Sequence, residues 1–311
     1  MQEEILKEKQ VNRQEEKPNE KQEEKLSIGS ILKTIYMCVT ILAALLTFSA
    51  ATYAWFSSNS VVNTNKVTGK TGTDSVELQI SSYGGGSFQA AKEAALVQVN
   101  SYSSELLMPI STSDLRTFVI SNGTVDGVAV SFKKIEKEKH YYHGRIYLKA
   151  ASEGHSENAK LALYLDSSAG AGGNFATNVN GYIANAARLG LIFDGGNTKI
   201  LRLSDSANPK PDQIMNAKVN GVDVKAGQVI NGSADPFQIV SDPSAPISQY
   251  MVSENGLTGV TPLLMMDLNR IYAVDVYFYL EGCDPDCSDV TRLDSLNLHL
   301  AFYGVLTEEA N

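Results

Sequence analysis

The stretch YAVDVYFYL, residues 272–280, gives the clearest indication of the fold class, because its apolar side chains recur at every second position. The even-numbered residues share one face of an extended strand: Tyr272, Val274, Val276, Phe278 and Leu280. The segment LNLHLAF, residues 296–302, repeats the pattern at Leu296, Leu298, Leu300 and Phe302. A period of two indicates strands with one buried and one wetter face. We predict that these strands pair as a C-terminal hairpin, the most stable part of the core.

Other segments carry the same period through the chain. Residues 76–80 and 161–165 alternate in this way. Turn signals fall between such runs at Asn122-Gly123, Asp194-Gly195-Gly196, Asn220-Gly221 and Asn255-Gly256. Two helices are expected, one over 88–97 (FQAAKEAALV) and a short one over 181–187 that leads into a strand at 188–193. The sequence therefore predicts a mainly β protein, an antiparallel β-sandwich with one or two short helices.

The first 56 residues differ in composition from the rest of the chain. Residues 1–33 intersperse acidic and basic side chains with few apolar ones, so they cannot offset the entropy of ordering the chain. We expect them to form a solvated, charged tail. Residues 34–56 contain no charged side chain, and as a helix they would extend about 34 Å, enough to cross a hydrocarbon core of about 30 Å. This segment is predicted to be a signal or transmembrane helix.

Two interpretations of this apolar segment stay open. A secretory signal would be cut between Ala54 and Trp55, because small residues precede that bond. An uncleaved anchor is favoured by the long charged tail and by the interfacial aromatics Tyr53 and Trp55. Both place the N-terminus in the cytoplasm, since lysines are in excess before the span.

The topology divides the chain into a cytoplasmic tail, a helix and an exported part. Residues 57–72 are predicted to be a linker or a donor strand, and residues 73–311 an extracellular β-sandwich domain. The expected location is the cell surface or the extracellular space, with a single membrane pass before or without cleavage. The N-terminal helix makes the membrane a predicted partner.

The net charge of −9 narrows the range of other partners. An acidic chain without a basic cluster is repelled by the phosphates of nucleic acids and by anionic lipid surfaces. We therefore predict no nucleic-acid partner. No motif in the sequence indicates a cofactor.

The loop GCDPDCSD, residues 282–289, joins the two C-terminal strands and is expected to be exposed. A disulfide between Cys283 and Cys287 is the favoured interpretation, because the loop is predicted to lie in an oxidising exterior. Free thiols on an acidic turn are the alternative. A zinc site lacks a second ligand pair. A weak calcium candidate consists of four oxygen-bearing side chains: Glu281, Asp284, Asp286 and Asp289.

A search for catalytic residues finds no convincing set. The zinc-protease signature His-Glu-x-x-His does not occur. His140 and His143 fall in a lysine-rich stretch typical of a surface loop or strand edge, and His299 is expected on the outer face of its strand. Ser131-Phe132-Lys133-Lys134 and Lys70-Thr71-Gly72 match β-lactamase motifs in reversed order, which favours coincidence. We predict no catalytic residue and no enzymatic activity.

Three stretches carry a resemblance to a known group of proteins. The segment ATYAWFSSNSVVNTNKV, residues 51–67, resembles the export region of Gram-positive surface proteins of the TasA/camelysin-like group. The stretches VYFYLEGCDPDCSD (276–289) and SLNLHLAFYG (295–304) resemble the closing strands of clostridial-type members. The resemblance implies processing by a signal peptidase of the SipW type and a jelly-roll-like sandwich on the cell surface or in biofilm matrix fibres. Some members are classed as metallopeptidases, but the zinc signature is absent from this sequence.

Three functions therefore compete. The first is a structural surface or matrix subunit that self-associates by strand addition into fibres. The second is an adhesin-like binding module tethered to the membrane. The third and weakest is a camelysin-type metallopeptidase. The resemblance favours the first, because fibre-forming relatives donate their mature N-terminal segment as a strand.

Overall fold

The computed structural model describes residues 33, 36–37, 39–40, 67–72, 76–102, 107–136, 139–154, 159–166, 181–204, 212–252, 256–287 and 300–307. The chain divides into two compact units, residues 1–52 and residues 53–311.

In the N-terminal unit, the described residues are helical: Lys33, Tyr36, Met37, Val39 and Thr40. The Thr40 hydroxyl donates to main-chain carbonyls of the preceding turn, 3.0 Å from the oxygen of Tyr36 and 2.9 Å from that of Met37. The rest of the predicted 34–56 helix and the predicted cleavage site, Ala54 and Trp55, lie outside the described residues. None of the helical segments that the structure describes has both the length and the apolar character needed to span a membrane.

The C-terminal unit is built mainly from strands. They are β1 (Val67–Thr71), β2 (Val76–Ser81), β3 (Glu93–Ala94), β4 (Val97–Gln98), β5 (Pro109–Ser111), β6 (Val119–Val125), β7 (Val128–Lys134), β8 (Tyr142–Ser152), β9 (Lys160–Asp166), β10 (Ala187–Phe193), β11 (Asn197–Arg202), β12 (Ile214–Val219), β13 (Val222–Lys225), β14 (Gln228–Asn231), β15 (Gln238–Ser241), β16 (Ala245–Pro246), β17 (Met251–Val252), β18 (Leu264–Asp267), β19 (Ile271–Glu281) and β20 (Leu300–Thr307). One short α-helix, α1 (Gly181–Ala186), leads into β10, and 3-10 turns occur at Gly85–Ser87 and Ile247–Tyr250.

The larger sheet is organised around β19. Strand β8 pairs antiparallel along one side of it and β10 along the other. Strands β2 and β4 lie beyond β8, and β11 and β16 lie beyond β10. Past the end of β8, β5 pairs in parallel with the last two residues of β19 and leads into the series β6, β7, β12 and β13.

The smaller sheet is organised around β20. Strand β9 pairs antiparallel with one side of it, and β1 pairs in parallel with the other. Strands β17 and β18 lie beyond β9, and β3 lies beyond β1. A separate two-stranded ladder joins β14 to β15.

The main core lies between these two sheets. The even-numbered residues of β19 are buried in it, with Val274, Val276 and Phe278 fully inaccessible to solvent. They belong to one cluster with Leu161, Leu163 and Leu165 of β9 and Leu300 and Phe302 of β20. Two sheets with apolar faces turned toward each other form a β-sandwich, as predicted.

The opposite face of β19 is buried as well. Its odd-numbered residues Tyr277 and Tyr279 belong to a second cluster, with Ile110, Leu115, Phe118, Tyr141, Ile192 and Ile200. The chain that follows β5 covers this face with Leu115 and Phe118, which are nearly inaccessible. The larger sheet is therefore covered on both sides at its centre, and its outer face is an interior surface.

The predicted C-terminal hairpin is wrong. Strands β19 and β20 belong to different sheets and contribute to the same core from opposite sides. Of the second predicted strand, Leu300 and Phe302 lie in β20, whereas Leu296, Leu298 and His299 lie outside the described residues. Alternation identifies a strand and its buried face but does not identify its neighbour, so two facing strands of a sandwich have the same sequence pattern as two paired ones.

Three further predictions need correction. The segment 88–97 is not an α-helix: Ala91 forms a bridge with Ile80, with N–H to oxygen distances of 2.9 and 3.0 Å, and β3 and β4 follow. Pairing with neighbouring strands overrides the helical propensity of this alanine-rich stretch. Asn122 and Gly123 lie within β6 at a register shift, and the turn falls at Asp126-Gly127. The sandwich is mixed, since five of its ladders are parallel.

The N-terminal boundary of the sandwich also differs from the prediction. Residues 67–71 of the expected linker form β1, in which Val67 is 1% exposed and pairs with both Leu300 and Ala94. Residues 57–66 lie outside the described residues. The turns at Asp194-Gly195 and Asn220-Gly221 are confirmed, with positive φ at all four residues, as is the short helix before β10.

Candidate functional site

The turn that follows β19 is buried, contrary to the exposed loop expected from the sequence. Cys283 and Asp284 are 2% and 6% exposed. The Gly282 N–H donates to the carbonyl oxygen of Ile110 at 2.7 Å, and a Cβ at Gly282 would meet the Pro109 main chain at 3.2 Å. The N–H of Cys287 donates to the carbonyl oxygen of Asp284 at 3.0 Å. The Gly282 contacts hold the turn against β5, so Glu281 and Asp284 are buried, whereas Asp286 and Cys287 are half-buried.

A fully buried arginine lies opposite this turn. Arg188 on β10 has a side chain that is 1% exposed, and its Nη2 lies 2.7 Å from Oδ2 of Asp284 and 3.2 Å from Oδ2 of Asp242. Its Nη1 donates to the main-chain oxygens of Asn185 and Ala187. We call Arg188, Asp242, Asp284 and Glu281 the buried charge cluster.

The strand register explains how an arginine comes to be buried there. Along β10, Leu189, Leu191 and Phe193 face the main core, so Arg188 faces the covered outer side of the sheet, beside Tyr279 of β19. Neither Arg188 nor Asp242 was singled out from the sequence. The available signal was the single charged side chain in the apolar run ARLGLIF, residues 187–193.

Burial shifts the acid–base behaviour of this cluster. Glu281 is 1% exposed, and burial, together with the charge of Asp242, raises its pKa to about 8 despite the opposing effect of Arg188. Burial also raises the pKa of Asp284, which Arg188 partly opposes. Although burial disfavours the guanidinium, Asp242 and Asp284 raise the pKa of Arg188. One cation therefore sits among three carboxyl groups, and the raised pKa of Glu281 favours its protonated form.

Both cysteines are free thiols in the structure. Burial raises the pKa of Cys283 well above its usual value and that of Cys287 to about 12. Thiols that stay protonated are poor nucleophiles and poor metal ligands. The two side chains belong to different apolar clusters, Cys283 to the one that includes Val119 and Ile230, and Cys287 to the main core. The disulfide between them stays a prediction.

The oxygens of the calcium candidate have other partners. Asp284 contacts Arg188, and Asp286 accepts a hydrogen bond from Nδ2 of Asn185 at 2.6 Å. Glu281 accepts one from the N–H of Cys283 at 3.1 Å. Asp289 lies outside the described residues. Among the residues that are described, no group of three or more His, Cys, Asp or Glu could hold a metal ion. The calcium site stays a prediction.

A second polar group lies further along the same face of the sheet. Asp275 of β19 accepts two hydrogen bonds from Arg145 of β8, at 2.7 and 2.8 Å, and its Oδ1 lies 3.0 Å from Nε2 of His143. His143 is 8% exposed and stacks on Tyr277 with 4.2 Å between ring centres, so its prediction as a surface residue is wrong. Burial raises the pKa of Asp275, but hydrogen bonds from His143 and Arg145 outweigh it and bring the pKa below its usual value. We call Arg145, Asp275 and His143 the rim cluster.

An aromatic group separates the two polar clusters. Phe118 stacks on Tyr141 at 4.1 Å between ring centres, and Tyr277 and Tyr279 pack around it. Tyr279 is fully buried, and burial raises its pKa well above the usual value. The described arrangement brings together charge pairs and aromatic rings that fix the covering loop to the sheet.

Most of the candidate site residues named from the sequence lie close together in the structure. The structure brings Glu281, Cys283, Asp284, Asp286 and Cys287 together in one turn, where Arg188 provides the positive charge.

No family model matches the chain, and no curated protein or solved structure matches it significantly.

Proposed function

We propose that the chain is an exported structural protein of the cell surface or extracellular matrix that self-associates by strand addition. In this proposal, residues 34–56 form the signal or transmembrane helix, a peptidase of the SipW type cuts between Ala54 and Trp55, and the exported part is a jelly-roll-like sandwich. The sequence resemblance to the TasA/camelysin-like group and the mainly β architecture support it. The proposal includes no catalytic role.

The observation that carries the proposal is an open strand edge beside an apolar groove. Strand β13 pairs with β12 only, and β15 pairs with β14 only, within the part of the chain that the structure describes. A groove of about 330 Å³ separates these edges, lined by Val219, Asn220, Val222, Phe237, Gln238 and Ile239. Val222 is 61% exposed, and the side chains of Phe237 and Ile239 opposite it are half-buried.

Such an edge has the features that strand addition requires. Outward-facing N–H and C=O groups of an edge strand can pair with another chain, and adjacent apolar pockets accept alternate side chains of the incoming strand. Native proteins usually protect edges with charges or proline. Strand β13 carries charges at Asp223, which pairs with Lys218, and at Lys225, whose N–H donates to Oε1 of Gln228. The unprotected part of this edge is therefore its start, where the exposed Val222 follows the turn at Asn220-Gly221.

The donor segment is shorter than the sequence alone indicated. Val67 and Thr68 pair within the chain's own smaller sheet, so they are committed to β1. We therefore assign the donor role to residues 55–66, whose β-prone positions include Val61 and Val62.

The test compares two matched charge substitutions on the same hairpin. Val222→Lys puts a charge into the groove, whereas Ile214→Lys puts one at a site that is 57% exposed and outside the groove. Both should leave the melting temperature nearly unchanged, because both side chains are mostly exposed. The full-length chain is expressed, and the protein recovered from the cell exterior is compared by sedimentation and electron microscopy. Assembly should be lost in Val222→Lys and kept in Ile214→Lys.

Two further measurements complete this test. Removing residues 55–66 should abolish assembly as Val222→Lys does, and N-terminal sequencing of the exterior material should begin at Trp55. If wild-type chains stay monomeric at high concentration, the strand-addition proposal is wrong. The second candidate, a tethered binding module, would then become the leading one.

A further inference from the structure

The described surface contains a cationic depression that the overall charge of the chain does not suggest. It lies at the end of β7 and is lined by Ile120, Lys133, Lys134, Ile135, Glu136, Lys139 and His140. The three lysines are exposed, and within the described residues none of their ammonium groups forms an ion pair. Other lysines do form such pairs, as Lys160 does with Asp267. Glu136, also exposed, is the acidic side chain of the lining, so positive charge is in excess there. The expectation of no basic cluster was therefore wrong.

The floor of this depression is apolar and firmly held. Ile120 and Lys133 are cross-strand partners on β6 and β7, and the N–H of Ile135 continues the ladder by donating to the carbonyl oxygen of Phe118 at 2.9 Å. Ile120 and Ile135 pack from outside onto the aromatic cluster around Phe118. The lysine side chains therefore surround a small, fixed apolar surface.

From this arrangement we propose that the depression binds an acidic saccharide unit of an anionic polysaccharide. Lysine ammonium groups recognise carboxylate, sulfate or phosphate as point charges, and the isoleucine floor suits the C–H face of a sugar ring. A volume of about 230 Å³ limits the site to one small unit at a time. His140 is the aromatic ring in the described lining, so the depression offers little of the stacking surface on which single-stranded nucleic acids depend.

This site does not depend on strand addition between copies. It lies on β7 and the chain that follows, whereas the proposed assembly edge is on β13. A chain that fails to assemble can still bind a polysaccharide here, and the reverse also holds. The two proposals are therefore separable by experiment.

The test uses the full-length chain in nonionic detergent, with immobilised polymers as probes. Polygalacturonate presents carboxylates and heparin presents sulfates, and neutral dextran and duplex DNA serve as comparisons. The variant K133Q/K139Q removes two charges from the depression. Its matched control, K92Q/K149Q, removes the charges of one exposed and one half-buried lysine that lie outside the depression and outside β13.

At about 50 mM salt we expect the wild-type chain and the control to bind at least one acidic glycan. The variant K133Q/K139Q should bind roughly tenfold more weakly, and the salt dependence of its affinity should fall by about one unit per lysine removed. The preferred polymer identifies the anionic group. Absence of binding to both glycans, equal losses in the two variants, or equal affinity for DNA would each overturn the proposal.

Discussion

Each of the two polar clusters on the outer face of the larger sheet pairs an arginine with aspartate, but the two arginines lie at different depths. In the rim cluster, the Arg145 side chain is 40% exposed and binds Asp275 through two N–H groups. In the buried charge cluster, Arg188 is 1% exposed and reaches Asp242 and Asp284 through a single nitrogen. The rim pair has the better geometry, but only its arginine is exposed, because the Asp275 side chain is 12% exposed. We expect the buried pair, in which both partners are covered, to matter more for stability.

The reason for this expectation is desolvation. A surface ion pair contributes little, because water solvates either partner when the other is removed. A buried pair brings little net stability compared with an apolar replacement of both partners, but removing one partner leaves an uncompensated charge inside the protein. The comparison therefore predicts a difference in the cost of the same substitution at two sites.

Arg188→Met should have the largest effect. It leaves Asp242 and Asp284 buried without their cation, which should lower the free energy of unfolding by about 3–5 kcal/mol. Denaturant unfolding monitored by circular dichroism measures the change. Adding Asp284→Asn should recover part of the loss, since the double variant buries one charge fewer. A loss below about 1 kcal/mol would show that the cluster is hydrated.

The two clusters should also respond to pH in opposite directions. The pKa of Glu281 is raised to about 8 in the folded chain, so the unfolded chain releases this proton first as the pH rises. The contribution of Glu281 to stability is therefore greatest at low pH and declines between about pH 4.5 and 8. The pKa of Asp275 is lowered instead, so its contribution is present above about pH 4 and is lost as the pH falls through its folded pKa.

Glu281→Gln tests the first of these two dependences. The substitution keeps the shape of the side chain and removes the titrating proton, so the decline in stability between about pH 4.5 and 8 should be smaller by a few kcal/mol. Unfolding free energies at pH 5 and pH 8 for the two chains give the measurement. The substitution Glu77→Gln, at an exposed position on β2, serves as the control. Parallel pH profiles for wild type and Glu281→Gln would contradict the assignment.

The sequence predicts a residue's position only where that position produces a local pattern, such as alternation along a strand. Periodicity identified β19 and its core face, because alternating apolar residues have one structural meaning on a strand. It could not show that the opposite face, with Tyr277 and Tyr279, would be covered as well. That covering comes from a loop containing Leu115 and Phe118, whose contacts with the sheet are long-range.

The buried charge cluster shows the same limit at the level of a site. Asp284 was selected as a candidate from the sequence because two cysteines and a proline are its near neighbours. Its counter-charge, Arg188, lies 96 residues away along the chain, and Asp242, the other carboxylate paired with that arginine, lies 42 residues away. No local sequence pattern marks a pair at such a distance. In the described structure a guanidinium lies against Asp284, an arrangement that no local pattern in the sequence indicated.

The cysteine turn gives a prediction of intermediate size. If Cys283 and Cys287 join in the oxidising exterior, closing so short a ring should contribute about 2 kcal/mol, which reduction would remove. Because burial raises both thiol pKa values, alkylation of the folded chain would be slow even for free thiols. Labelling must therefore follow unfolding in denaturant. Mass spectrometry of unreduced material should then show neither thiol labelled and a peptide two hydrogens lighter.

The control for this measurement is the same material reduced before labelling, which should carry the label on both thiols. Complete labelling without reduction would remove the disulfide. The turn would then be held by Arg188 and by the hydrogen bond from Gly282 to Ile110. Calcium titration followed by intrinsic fluorescence would test the acidic alternative.

The smallest effect is expected for Arg145→Met, the counterpart of Arg188→Met at the rim. Asp275 loses two hydrogen bonds but keeps His143, and water can reach the site left by an exposed guanidinium. The free energy of unfolding at pH 7 should therefore fall by only about 1 kcal/mol. Because Arg145 helps to lower the pKa of Asp275, its loss should also move the onset of acid destabilisation to a higher pH.

Arg145→Met is the most direct counterpart of Arg188→Met, because both substitutions replace an arginine on the same face of one sheet. Salt provides an internal check: about 0.5 M sodium chloride should weaken the Arg145 contribution more than that of Arg188, because exposed charges are screened and buried ones are not. Equal losses in Arg145→Met and Arg188→Met, or an unchanged acid limb in Arg145→Met, would show that depth does not separate the two clusters.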